Sequence, residues 1–247
     1  SSRSAPTVDR ARGHVLIGAG LSAWALDAAT GDVVWQTPLD APVLNGTVCV
    51  AGDRAFLTNY SFDPLCTEGP TLYALNLDPA DPTYAEGEIV WTRDLTDTSG
   101  TEVAIDPDDP QRLIVTDTGG YVREFDPNGN PGWVFAVPQD AWGEFPVGSF
   151  FGGAVVSGGR VYAATYEFYG GEDSARLYCL DAATGTRIWD SPAERTDSTP
   201  VVTGDLVVLS AGINSEGAWF GPSRRKIQAF DKTTGEKAWE VTGRGGW

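Results

Sequence analysis

The sequence predicts an all-β fold built from five repeats of a four-stranded antiparallel sheet, and three observations carry that prediction. Five times a glycine is followed four residues later by a tryptophan: Gly31 and Trp35, Gly87 and Trp91, Gly129 and Trp133, Gly185 and Trp189, Gly235 and Trp239. Successive tryptophans of these pairs lie 56, 42, 56 and 50 residues apart, about the length of a four-stranded propeller blade and longer than most helical-pair repeats. The 247 residues include 30 glycines and 16 prolines, with no long helical period, which points to many short strands joined by tight turns.

Each repeat divides into four short apolar segments, A to D, separated by turn residues. The first gives APTVDRARG, HVLIGAG, SAWALDAATG and VVWQTP; the second gives GTVCVAG, RAFLTNY, TLYALNLD and EIVWTRD. The third gives GTEVAIDPDD, RLIVTD, YVREFDPN and GWVFAVP, and the fourth GGAVVSGG, RVYAATYE, RLYCLDAATG and RIWDSP. The fifth is the plainest, with STPVVTGD, LVVLSAGI, KIQAFDKTTG and KAWEVT. Strands of four to six residues joined by Gly, Asp and Asn turns make an antiparallel meander. The chain is therefore read as one domain over 1–247, with blades at about 5–40, 41–96, 97–138, 139–193 and 194–247.

The C–D turn explains its own residue types. Asp27, Asp181 and Asp231 can each fold a carboxylate back onto the following amides, and Gly31, Gly185 and Gly235 supply the positive φ that re-entry into strand D requires. The tryptophan four residues on falls within strand D, where a large flat ring can pack across the gap between adjacent blades. These tryptophans, with Trp91 and Trp133, are read as structural.

The pattern Ala-x-Asp-x-x-Thr-Gly-x-x-x-Trp at Ala25–Trp35, with close copies ending at Trp189 and Trp239, resembles the tryptophan-docking motif of pyrroloquinoline-quinone-like β-propellers. The resemblance covers essentially the whole chain. It implies a β-propeller and leaves two activities open, because relatives include quinoprotein alcohol dehydrogenases and an outer-membrane assembly lipoprotein. Members usually close with seven or eight blades, whereas five repeats are present here. The five either close as a compact ring or form a segment of a larger propeller, and the exposed edges of an open arc favour the ring.

The enzymatic implication is a quinone in a central cavity with calcium, an adjacent cysteine pair and a catalytic Asp. Cys49, Cys66 and Cys179 are far apart in sequence, so the pair is missing and no catalytic residue or metal ligand is assigned. Cys179 aligns with Ala25, Ala74 and Ala229 and should fill a small buried slot. A Cys49–Cys66 bridge has a strand between its ends and is disfavoured by the reach of a disulfide. His14 is the only histidine, which rules out zinc sites built on several. Asp126, Asn128 and Asn130 begin like a calcium loop but lack its glycine and distal glutamate, so they read as an Asx turn. The acidic loops at Asp78 and Asp106 read as turns with solvated charge.

With 34 Asp and Glu against 17 Lys and Arg, the net charge is -17, which disfavours nucleic acid and anionic membrane surfaces as partners. No apolar run approaches the roughly 20 residues that cross a bilayer, and the resemblance implies an extracytoplasmic location. Function is expected at the face carrying the B–C loops and D–A connections, which are long and aromatic in several blades. Trp142, Glu144, Phe145, Phe168, Tyr169, Trp219 and Phe220 gather there, with Glu172, Asp173 and Glu216 among them, as a rim suited to a protein, peptide or carbohydrate. The expected function is thus a non-catalytic binding or assembly scaffold. The alternatives are a quinone- and calcium-dependent oxidoreductase and a sensor domain of a larger protein.

Overall fold

A computed structural model describes residues 4–43, 46–59, 71–95, 97–138, 148–167, 171–212 and 224–243. The described strands form five antiparallel sheets, each a meander in chain order. The first contains β1 (Thr7–Asp9), β2 (His14–Asp27) and β3 (Val33–Val43), and the second β4 (Cys49–Ala51), β5 (Arg54–Thr58), β6 (Thr71–Asn76) and β7 (Ile89–Asp94). The third contains β8 (Ala104–Ile105), β9 (Leu113–Thr116), β10 (Tyr121–Phe125) and β11 (Pro131–Ala136). The fourth has β12 (Val155–Ser157), β13 (Arg160–Ala164), β14 (Ala175–Asp181) and β15 (Arg187–Ala193). The fifth has β16 (Val201–Thr203), β17 (Leu206–Ala211), β18 (Lys226–Asp231) and β19 (Lys237–Thr242).

The first sheet differs from the expected four strands only in continuity. The Ala28 amide donates to the Gly13 carbonyl at 2.8 Å, as Ala182 does to Gly159 and Lys232 to Asp205 in the fourth and fifth blades. That bond folds β2 back on itself near Gly20, whose φ is +59°, so β2 supplies both middle strands.

The C–D turns have the expected chemistry. Asp27 Oδ1 accepts the amides of Ala29 and Thr30 at 2.9 and 2.8 Å, and Asp231 Oδ1 accepts those of Thr233 and Thr234 at 2.8 Å. Asp181 does the same with Ala183 and Thr184. Backbone hydrogen bonds hold the Asp27 and Asp231 carboxyls below the usual range. Asp126 accepts from the amides of Asn128 and Asn130 and from the Asn130 side chain, which is the Asx turn read from the sequence. Just before each turn the C–D register slips by a residue: between Ala25 and Leu26, Ala74 and Leu75, Arg123 and Phe125, Cys179 and Leu180, and Ala229 and Phe230. Such a bulge re-aims the strand that follows, and that strand carries the tryptophan.

The tryptophans join blades. A Cβ built on Gly87, Gly129, Gly185 or Gly235 would fall within 3.0 Å of the ring of Trp35, Trp91, Trp133 or Trp189 respectively. Each ring thus lies flat on the turn glycine of the next blade, where no other residue leaves room. The residue two beyond the tryptophan often completes the contact: Thr37 Oγ1 donates to the Gly87 carbonyl at 2.5 Å, Arg93 Nε to Gly129 at 2.6 Å and Ser191 Oγ to Gly235 at 2.5 Å. Trp91 and Trp133 also donate their indole N–H to the carbonyls of Pro127 and Ala182, at 2.9 and 3.0 Å.

The core accordingly lies between blades rather than inside them. Four apolar clusters fill the four gaps, and each has one motif tryptophan packed against it, in order Trp35, Trp91, Trp133 and Trp189. Cys179 is fully buried in the last of these as a free thiol, and burial pushes its pKa up to about 11. Cys49 is also a free thiol, raised to about 12 by burial and the nearby Glu102 charge, and Cys66 lies outside the described residues. His14 is partly buried at the start of β2, its Nδ1 3.4 Å from Glu86. The solvated charge expected at Asp106 is corrected: that carboxylate is 1% exposed and paired with Arg112 at 2.6 Å, because an arginine six residues on reaches back to it.

The five blades do not close into the expected ring. Gly31 has open space where its four counterparts hold a tryptophan, and Trp239 is 42% exposed. The described blades form an open arc.

Candidate functional site

The rim expected from the sequence falls largely outside the described residues: Trp142, Glu144, Phe145, Phe168, Tyr169, Glu216, Trp219 and Phe220 all do. Of the other aromatics in the connection before the fourth blade, Phe150 is fully buried in the core between the third and fourth blades, and Phe151 packs its ring 5.5 Å from that of Tyr166. Glu172 and Asp173 belong to the B–C loop of the fourth blade, and both turn toward the fifth blade into a charged network.

Lys226, at the start of β18, is the hub of that network. Its Nζ lies 3.1 Å from Asp173 Oδ1, 3.4 Å from Glu172, 3.5 Å from Glu240 and 3.6 Å from Glu194, with the lysine side chain 5% exposed. Lys237 adds 2.9 Å to the other Asp173 oxygen and 3.0 Å to Glu240. The Gln228 side-chain amide donates to Asp173 at 2.9 Å and Glu240 at 2.8 Å, while its oxygen accepts the Glu194 amide at 2.9 Å. Four carboxylates and the two lysines thus interlock, a condition that buried charge requires.

The titration of the network follows. Burial alone would raise the Asp173 carboxyl, but hydrogen bonds from Lys237, Gln228 and Lys226 outweigh it and hold it below the usual range. Glu240 is lowered chiefly by its bond from Gln228. The same contacts overcome burial at Lys226 and Lys237 and raise both ammonium groups. Asp173 has a φ of +54°, the only positive φ among described non-glycine residues, so the loop is held in a left-handed conformation by what its side chain bonds.

Beside this network is a cavity of about 300 Å³ whose wall includes Tyr166, Arg195, Thr196, Ser198, Ser210 and Arg225. Its lining comes from the D–A connection between the fourth and fifth blades and from the ends of β17, β18 and β19, so it opens on the face singled out from the sequence. Arg195 is fully buried, its guanidinium 5.7 Å from the Tyr166 ring centroid and its Nε 3.8 Å from Glu194. Thr196 Oγ1 donates to the Ser210 carbonyl at 2.7 Å and accepts the Ser198 amide at 3.0 Å. Hydroxyls and a guanidinium with an aromatic wall are suited to hold a polar chain, and among the described residues no group of three or more His, Cys, Asp or Glu is placed to hold a metal.

The sequence reading pointed to this face without singling out Tyr166, Arg195, Arg225, Lys226 or Gln228, which the structure brings together there. One signal was present: only three lysines occur in the chain, and two of them, Lys226 and Lys237, serve this network. The buried Arg195 had none, since its neighbours in the D–A connection read as loop.

A family model described as outer membrane protein assembly factor BamB matches residues 3–166 and 118–246. No curated protein sequence matches the chain. Among solved structures, BamB from Moraxella catarrhalis superposes with a TM-score of 0.69 at 20% identity, over 97% of this chain and 64% of that one. Two quinohemoprotein alcohol dehydrogenases, from Pseudomonas putida HK5 and Comamonas testosteroni, each superpose with a TM-score of 0.66 at 15% identity. They are covered over 42% and 43% of their lengths, against 98% and 99% of this chain. The chain thus spans less than two thirds of each of these structures, and at such identities the likeness shows the fold. The repeat, the blades and the family match together establish that the chain belongs to the pyrroloquinoline-quinone-like β-propeller family represented by outer membrane protein assembly factor BamB.

Proposed function

We propose that this chain is a non-catalytic assembly scaffold acting outside the cytoplasm, and that it binds an extended protein segment across its B–C and D–A face. The observation that carries the reading is the cavity beside the Lys226 network: a groove whose apolar and aromatic wall, with Ile227, Val241 and Tyr166, is set with Arg195, Arg225 and hydroxyl groups, bordered by a loop that Lys226, Lys237 and Gln228 hold through Asp173. Preorganised walls bind a chain without ordering costs of their own. The family match supports the scaffold class, since its description is that of an assembly factor. The net charge of -17 weighs against nucleic acid, and among the described residues no helix is long and apolar enough to cross a membrane.

The oxidoreductase alternative finds little support in the residues present. No two cysteines are adjacent in the chain, and Cys49 and Cys179 lie in different blades with thiols kept protonated by burial. A quinone and calcium form no part of the proposal.

An array of extended synthetic peptides, probed with the intact chain alongside a glycan array, tests the reading. Arg225→Glu and Trp219→Ala should each reduce peptide signal at least tenfold, as loss of an interface anchor does, with the melting temperature unchanged. Peptide binding that survives both changes, or binding confined to glycans, overturns the peptide reading. A saturable melting shift with pyrroloquinoline quinone and calcium would instead favour the oxidoreductase.

A further inference from the structure

Between β9 and β10 the B–C connection of the third blade is a four-residue turn, 117–120, where the second, fourth and fifth blades have long loops. This turn ties three blades together. Thr118 donates its amide to the Thr98 carbonyl at 2.9 Å, on the connection from the second blade, and there Ser99 donates to the Asn59 carbonyl at 3.1 Å. On the other side the Phe150 amide donates to the Asp117 carbonyl at 3.2 Å, and Phe150 is buried in the core between the third and fourth blades. A movement of the turn therefore reaches both connections.

A buried carboxyl sits at the base of the turn. Asp117 is 1% exposed and accepts the Tyr121 amide at 3.0 Å and Arg123 Nε at 3.4 Å. The second contact is long, from a guanidinium stacked over the Tyr121 ring, 4.4 Å from its centroid. By contrast Asp106, equally buried in the same blade, holds Arg112 at 2.6 Å. A second carboxyl stands close by: a Cβ added to Gly119 would lie 3.2 Å from Asp97 Cβ and 3.3 Å from Asp117 Oδ1. Among the described residues, the charged groups facing Asp117 are thus Arg123 from β10 and Asp97 from the connection between β7 and β8, with Tyr121 beside them. Burial without a close counter-ion disfavours the charged form. It pushes the Asp117 carboxyl up to about 6 against the pull of Tyr121 and Arg123, and Asp97 adds to the rise.

We propose that this turn is a pH-responsive clasp on the B–C and D–A face, closed over an uncharged Asp117 and released as that carboxyl ionises. An ionised Asp117 gains water by peeling away from Thr98 and Phe150, which loosens the connections on either side. Because the closed turn favours the neutral acid, the clasp is firm in acid and weakens as the pH rises through the folded value. The Lys226 network has the opposite sign, since its depressed carboxyls release only below the ordinary carboxylate range of about 4. The two responses therefore occupy separate windows.

Hydrogen exchange on the intact chain tests the proposal, with rates corrected for the intrinsic effect of pH on exchange. Segments 97–101 and 113–125 should open about tenfold more readily at about pH 7.5 than at about pH 5, as expected for a carboxyl moved from about 4 to about 6 by closing the turn. Asp117→Asn keeps the shape and the acceptor for the Tyr121 amide but cannot ionise, so its turn should open equally at both pH values. Carbon NMR of the wild-type chain gives a reading that needs no variant to fold: the Asp117 side-chain carboxyl should titrate near 6. A wild-type profile that is flat with pH, a rise that persists in Asp117→Asn, or an Asp117 carboxyl that titrates in the ordinary range of about 4 would each overturn the clasp.

Discussion

The same residue type has different consequences at different places in the arc. Gly185 has a φ of +69° and sits under the Trp133 ring, whereas Gly31 has a φ of +78° and faces open space. An alanine at either position pays for a left-handed backbone, about 1–2 kcal/mol. At Gly185 its methyl must also displace a tryptophan ring packed against the core, and such overpacking adds roughly 1–3 kcal/mol. Gly185→Ala should therefore shift the denaturation midpoint clearly more than Gly31→Ala, in denaturant titrations followed by tryptophan fluorescence. Equal shifts would mean that the ring does not need the bare glycine. The repeat was legible at this scale because the constraint is local: one carboxylate, one positive φ and one ring at fixed spacing. Which of the five copies are occupied was not legible, since Gly31 and Gly185 are the same letter in nearly the same motif, ATGDVVW against ATGTRIW, and only the neighbouring blade distinguishes them.

At the scale of an element, the B–C loop of the fourth blade shows how a surface segment acquires a fixed shape. Asp173 reaches Lys226, Lys237 and Gln228 on two strands of the next blade, and these contacts hold it at a positive φ. Lys226→Met keeps the apolar stem and removes the charge at the centre of four carboxylates, among them the fully buried Glu194. Losing one partner of a buried ion pair costs about 3–5 kcal/mol, so the variant should be less stable by about that amount at pH 7. The sign with pH is fixed by the depressed carboxyls of Asp173 and Glu240: their stabilisation is present above the ordinary carboxylate pKa of about 4 and disappears as the pH falls through their folded values. The gap between wild type and variant should shrink below about pH 4 in melting curves, and a gap that widened there would contradict the network. Strand order and turns could be read from the alternation of apolar and turn residues. The network could not, because it joins Asp173 to residues 53 to 64 positions away and depends on which way two loops lean.

At the scale of the whole molecule, a repeat array draws its stability from interfaces as much as from its units. The three inner blades have an interface on both sides, while the first and last have one each. The burial of equivalent strands reflects this: every residue of β19 is exposed, whereas Trp189, Asp190 and Ser191 of β15 are covered in part and Ala193 wholly. Opening the last blade breaks a single cluster, and opening the fourth breaks two, so local unfolding should be graded along the chain. Hydrogen exchange followed by mass spectrometry should show amides of β18 and β19 exchanging at least tenfold faster than those of β14 and β15 in dilute solution, tenfold being about 1.4 kcal/mol of opening free energy. Uniform protection across all five blades would mean that the sheets, not the joints, set stability.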